Sequence, residues 1–189
     1  MSDGHIQSPK KTDGLPIRIP LTGTAAADFF VRQRDDYSCG PACLATVAHI
    51  YGLDGDYAFY RDAAQPDPKV GTPAPRMQQL SETLLASHDR TGCDDYDGGI
   101  AIANIIQDED HYVVFLKKDG DRAIYYDPYE HQLVIDRMDN IAWRSEKATH
   151  DRWCISFAAL PGNSMERWID MATPRPAPSL RAPPPGPRP

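Results

Sequence analysis

Between residues 100 and 135 the chain strings four short apolar runs together with brief polar turns, and this stretch limits the fold more than any other. The runs are 100–107, 111–118, 122–127 and 132–135, rich in Val, Ile and aromatic residues. Asp119-Gly120 is a hairpin turn signal, and Asp127-Pro128 ends the third run. A fifth run lies at 152–159. Strands joined this tightly have no room for crossover helices, so they are expected to pair antiparallel.

Upstream the pattern changes to a helical period. Residues 39–51 place Leu44, Val47, Ala48 and Tyr51 at three- and four-residue steps, which predicts a helix with one apolar stripe. Ser38 is positioned to cap it, Gly40-Pro41 suits a first turn, and Gly52 is a stop signal. Two more helices are expected at 57–64 and 74–87, the latter with Met77, Leu80, Leu84 and Leu85 on one side. A run of helices followed by a run of strands reads as α+β, an N-terminal helical part packed on a mainly antiparallel sheet.

The ends differ from this body. Residues 1–24 are polar and read as a flexible arm, or as an early strand near 15–21. Residues 173–189 hold 8 of the chain's 18 prolines and read as a disordered tail, itself a candidate ligand for a proline-recognising groove. The folded domain is then expected at 25–172. The chain carries 27 acidic against 20 basic side chains, net −7, which argues against nucleic-acid binding. No apolar run approaches the ~18–20 residues of a bilayer span. The first 25 residues lack an apolar signal core, so a cytoplasmic location with reduced thiols is expected.

The chemistry concentrates in Gln33-Arg34-Asp35-Asp36-Tyr37-Ser38-Cys39-Gly40-Pro41-Ala42-Cys43-Leu44. A cysteine in the first turn of a helix faces unpaired N–H groups and the positive end of the dipole, which favours thiolate over thiol. Gln33, six residues earlier, can curl back so that its amide and the Cys39 N–H form a two-donor oxyanion pocket. His111 opens one strand and Asp127 closes the next, with the Asp119-Gly120 turn between them. A hairpin brings those two positions side by side, giving a base oriented by a third group.

Other residues have blander readings. Cys43, Cys93 and Cys154 are expected to be core filler, and Cys39 with Cys43 lacks the further ligands that zinc requires. His49 lies over two turns along the first helix, and His131 is expected exposed in a turn. His5, His88 and His150 read as solvated, as do Asp108, Glu109 and Asp110. Trp143, Trp153 and Trp168 read as core or lobe-contact residues.

Taken together, Gln33-x5-Cys39-Gly40-Pro41-Ala42-Cys43-Leu44, His111-Tyr112-Val113-Val114 and Asp127-Pro128 resemble the bacteriocin-processing, double-glycine leader peptidases of the papain-like superfamily. Gly71-Thr72-Pro73 and the helix after it are also similar to that family's middle segment. Ser38 stands where that family usually carries an acidic residue. The resemblance implies a papain-like fold and a peptide substrate, with neither cofactor nor metal. It implies Cys39 as nucleophile, His111 as general base and acid, Asp127 as orienter and Gln33 as oxyanion-hole donor. The expected activity is hydrolysis through a thioester acyl-enzyme. The same acyl-enzyme serves an acyltransferase or transpeptidase, and the fold alone serves a non-catalytic peptide-binding module.

Overall fold

The computed structural model describes residues 15–22, 29–85, 90–92, 96, 98–106, 110–141 and 153–157. In chain order these form β1 (Ile17–Pro20), α1 (Cys39–Tyr51), α2 (Tyr57–Ala64), α3 (Ala74–Leu85), β2 (Arg90–Gly92), β3 (Ala101–Ile106), β4 (Asp110–Asp119), β5 (Arg122–Asp127), β6 (Gln132–Arg137) and β7 (Trp153–Ser156). The strands make one sheet in the order β1-β6-β5-β4-β3-β7-β2. Every neighbouring pair is antiparallel. The α+β arrangement expected from the sequence is the observed one. Cys93, Trp143, Trp168, His5, His88, His150, Asp108, Glu109 and the tail at 173–189 lie outside the described residues, as does the side chain of Trp153.

Each helix has the face its sequence provides. In α2, Tyr57, Tyr60 and Ala64 are buried, and the Asp56 side chain accepts from the Phe59 N–H to cap the first turn. In α3, Met77, Leu80, Ser81 and Leu85 are buried. α1 departs from the single-stripe expectation, because it is buried almost all round. It packs against β4 on one side and against α2 and α3 on others, so its small residues are contact surface too. Gly52 ends α1 in the left-handed region, where its N–H reaches the carbonyls of Ala48 and His49.

Both faces of the sheet are apolar, which is why the strand runs read as nearly continuous. On the helix side, Ile102, Tyr112, Val114, Leu116, Tyr126 and Leu133 join the core that holds Cys43, Leu44 and Val47. On the other side, Val113, Phe115, Tyr125, Val134 and Cys154 form a second cluster with Tyr96 and Ile141.

Two strands fall outside the expected runs. Residues 17–20, inside the stretch read as an arm or early strand, pair with β6 from Ile17↔Ile135 to Pro20↔Gln132. β2 comes from a polar stretch with no strand signal, and among the described strands it pairs with β7 alone. β4 and β5 pair across the Asp119-Gly120 turn, but a bulge between Phe115 and Lys117 shifts the register by one residue.

Candidate active site

Cys39 is the first residue of α1, and the Ala42 N–H closes the first turn onto the Ser38 carbonyl. The N–H groups of Cys39 and Gly40 therefore precede the helical ladder. Gly40 is required here by packing. A side-chain carbon at that position would lie 2.9 Å from Met77 Sδ and 3.0 Å from Thr72 Oγ1. Ser38 sits at the cap position, but its hydroxyl does not cap the helix as expected. It accepts instead from the Tyr57 hydroxyl at 2.6 Å.

The Cys39 sulfur meets the start of β4, where it accepts the Tyr112 N–H at 3.5 Å. The adjacent residue is His111, whose Nε2 lies 2.9 Å from Asp127 Oδ1. With Nε2 committed to Asp127, Nδ1 is the ring nitrogen left for another partner. The His111 ring is 12% exposed and the Asp127 carboxylate is fully buried. That buried oxygen also accepts the N–H groups of Tyr129 at 2.9 Å and Glu130 at 3.4 Å, which satisfies it within its own turn.

The bulge in β4 is what puts these two side chains on one face. Continuing the register of the turn-proximal pairs, from Asp119↔Arg122 to Lys117↔Ile124, would set Asp127 opposite Val114. That is three residues from His111, and so on the opposite face. Past the bulge, Val114 pairs with Tyr126, so Asp127 falls opposite Val113, two residues from His111. Diagonal neighbours two apart share a face and are within reach of each other. The expected side-by-side pairing is thus a diagonal one, and the inserted residue creates it.

The electrostatics follow from this geometry. Burial disfavours a charged His111 ring. Hydrogen bonds to Asp127 and Cys39, and the charges on both, outweigh burial and raise the ring from 6.5 to about 9. Cys43, one turn deeper, is different. Burial pushes its thiol well up, and the negative charges of Cys39 and Asp127 push the same way. It is fully buried and belongs to the core.

Gln33 approaches from a loop tied to the fold at two points. The Val31 N–H donates to Thr46 Oγ1 in α1 at 3.0 Å, and the Gln33 N–H donates to the Pro128 carbonyl at 3.1 Å, one residue past Asp127. The Gln33 side chain is buried, and its Nε2 donates to the Asp35 carbonyl at 2.7 Å. The amide thus folds onto its own loop. Nε2 carries a second hydrogen, while Oε1 is buried without a partner. A cleft of about 630 Å³ opens beside it, lined by Arg32, Gln33, Arg34, Asp35, Asp36, Tyr129 and Glu130.

The same loop carries a polar network that sequence reading missed. Asp35 Oδ2 pairs with Arg61 of α2 at 2.9 Å, and its Oδ1 accepts the Tyr37 N–H at 3.2 Å. Burial works against charge on Asp35, but hydrogen bonds from Ser38, the Tyr37 N–H and Arg61 together hold its carboxyl below the ordinary value. Nothing local could have identified Arg61, which is 26 residues from Asp35.

Of the rival histidines, His131 departs from expectation. It is half-buried, with a φ of 53°, and its Nδ1 lies 2.9 Å from the Tyr126 hydroxyl. Burial and the neighbouring charge of Arg32 lower its pKa. His49 lies in the last turn of α1, away from the sulfur. Among the described residues, no group of three His, Cys, Asp or Glu side chains could hold a metal, and no helix is long and apolar enough to cross a membrane.

Comparison with solved structures finds the peptidase domain of Streptococcus ComA, described as a bi-functional ABC transporter involved in a quorum-sensing pathway. It matches with a TM-score of 0.53 at 21% sequence identity, covering 69% of this chain and 97% of that one. At that identity the likeness speaks for the fold. No curated protein matches the chain. A model of the Peptidase C39 family matches residues 29–139, a stretch that opens just before the Gln33 loop and runs past the Asp127 turn. The family model spans more than half of the 189 residues, and the chain belongs to the Peptidase C39 family of cysteine peptidases.

Proposed function

We propose that the chain cleaves a peptide, of the leader-peptide class, after small residues such as glycine, through a thioester on Cys39. The reading rests chiefly on one observation: the Cys39 sulfur accepts the Tyr112 N–H at the start of β4, next to His111, whose Nε2 lies 2.9 Å from Asp127 and whose pKa both Asp127 and Cys39 raise. The Cys39 thiolate attacks the scissile carbonyl carbon, and the carbonyl electrons move onto oxygen. The Cys39 N–H and Gln33 Nε2 hold that oxyanion. His111 Nδ1 gives its proton to the leaving amine as the C–N bond breaks. The neutral ring then takes a proton from water, the hydroxide attacks the thioester, and the thiolate leaves with the acid product. Asp127 keeps the ring oriented and offsets its positive charge throughout. A free thiol needs a reducing compartment, which agrees with a cytoplasmic site of action.

The test uses fluorogenic peptides with Gly-Gly before the reporter amine, followed by product analysis by mass spectrometry. The expected result is a free carboxylate product from the wild type and none from Cys39→Ala. Transfer of the acyl group to an added amine, in place of hydrolysis, would assign a transferase. Full turnover by Cys39→Ala would refute the nucleophile, and binding of the peptide without cleavage by the wild type would assign a binding module.

A further inference from the structure

We propose that Asp35 and Arg61 are positioning residues, which hold the Gln33 amide where it can donate to the oxyanion. The proposal rests on the reading of Gln33 as an oxyanion donor. Gln33 is on a loop, and a loop amide is a useful donor only if the backbone around it is held within a fraction of an ångström. The Asp35 carbonyl takes one hydrogen of Gln33 Nε2 at 2.7 Å. Whatever fixes Asp35 therefore fixes the direction of the second hydrogen.

Asp35 is held from both carboxylate oxygens. Oδ1 accepts the Tyr37 N–H, which shapes the loop locally. Oδ2 accepts from Arg61 Nη2 at 2.9 Å, and the same nitrogen donates to the Tyr37 hydroxyl at 3.2 Å. The guanidinium carbon of Arg61 also lies 5.8 Å from the centre of the Tyr37 ring. Arg61 thus grips the loop at Asp35 and Tyr37 together. A second strap runs parallel, from the Tyr57 hydroxyl to Ser38 Oγ, with Arg34 stacked over the Tyr57 ring at 4.8 Å. Both straps start on α2. α2 is in turn tied to α3 by Arg76 Nη2, which donates to the Ala63 carbonyl at 2.5 Å.

The arrangement has a signature that a merely structural role lacks. The Arg61 and Asp35 side chains are 38% and 23% exposed, and an ion pair this accessible contributes little to folding. Its loss should therefore appear in turnover and not in the melting temperature. Removing an oxyanion donor outright costs on the order of 10²–10³ in kcat. Loosening the loop should cost a part of that, and only while Gln33 is present to be misplaced.

The experiment measures kcat and KM of the full chain on a fluorogenic Gly-Gly peptide. The variants are Gln33→Ala, Arg61→Ala, Arg61→Lys, the double variant Gln33→Ala/Arg61→Ala, and Cys39→Ala. We expect Arg61→Ala to lower kcat roughly tenfold, on the scale of a partly lost donor, with KM and melting temperature nearly unchanged. Arg61→Lys should recover most of the rate. In the Gln33→Ala background, Arg61→Ala should cost nothing more. Wild-type kcat in Arg61→Ala, or an undiminished loss on top of Gln33→Ala, overturns the positioning role while leaving the peptidase reading intact. Turnover that survives in Cys39→Ala overturns the peptidase reading, and this one with it.

Discussion

Replacing Asp127 by Asn removes one charge from the site while leaving its shape. The donors from His111, Tyr129 and Glu130 converge on one carboxylate oxygen, Oδ1. An Asn side chain presents an oxygen at the same place, so the turn can keep its form. In the native protein, burial opposes the charged ring, and the hydrogen bond to Asp127 is the largest single contribution that overcomes it. At about 1.4 kcal/mol per pH unit, the rise of His111 from 6.5 to about 9 amounts to roughly 3 kcal/mol in favour of the imidazolium. Without the Asp127 charge, burial has only the sulfur to offset it. The His111 pKa should then fall by about one to two pH units.

The assay is an NMR titration of the His111 ring proton from pH 5 to 10, paired with the rate of Cys39 alkylation by iodoacetamide across the same range. Stability gives an independent check. A group whose pKa is raised on folding stabilises the fold fully below its unfolded value, and that stabilisation is lost as pH rises through the folded value. For His111 the window runs from 6.5 to about 9. Urea unfolding of the wild type should lose up to about 3 kcal/mol across that window, and Asp127→Asn should show a much flatter profile. A wild-type ring titrating near 6.5, or a titration unmoved by Asp127→Asn, would refute the electrostatic account.

Two further substitutions test the packing beneath the site. Cys43 is fully buried in the α1 core, so Cys43→Ser should cost about 1–3 kcal/mol by burying a hydroxyl without a partner; an unchanged urea midpoint would mean that polar partners are present there. Gly40→Ala drives a methyl group into Met77 Sδ and the stiff Thr72 side chain. It should lower stability by about 1–3 kcal/mol, visible as a drop of several degrees in melting temperature, and a neutral result would mean that the Thr72–Met77 wall yields.

The elements were readable because their signals are local. Gly52, Asp119-Gly120 and Asp127-Pro128 each act within a few residues, and α1, α2 and β5 occupy the ranges their patterns indicate. β2 was not readable, because its three residues carry no apolar pattern and become strand only by pairing with β7. Ser38 was read as a cap because its type and place suit one. Its actual partner, Tyr57, is 19 residues away, and no spacing rule reaches that far.

The site itself divides along the same line. That His111 and Asp127 belong to one hairpin follows from the turn between them. That they share a face does not, because a regular hairpin counted from Asp119-Gly120 would point them to opposite sides of the sheet. One additional residue between Phe115 and Lys117 reverses that parity. Strand side chains alternate with a period of two, so inserting a single residue changes which residues meet while leaving the apolar pattern of the strand almost untouched. The stretch Val113-Val114-Phe115-Leu116 hides the insertion well, since both faces of this sheet are apolar and either register buries hydrophobic side chains. The geometry of the candidate site therefore depends on a feature that hydrophobic burial alone would not select. The pairing of His111 with the fully buried Asp127 is an interaction that distinguishes the observed register from its neighbour.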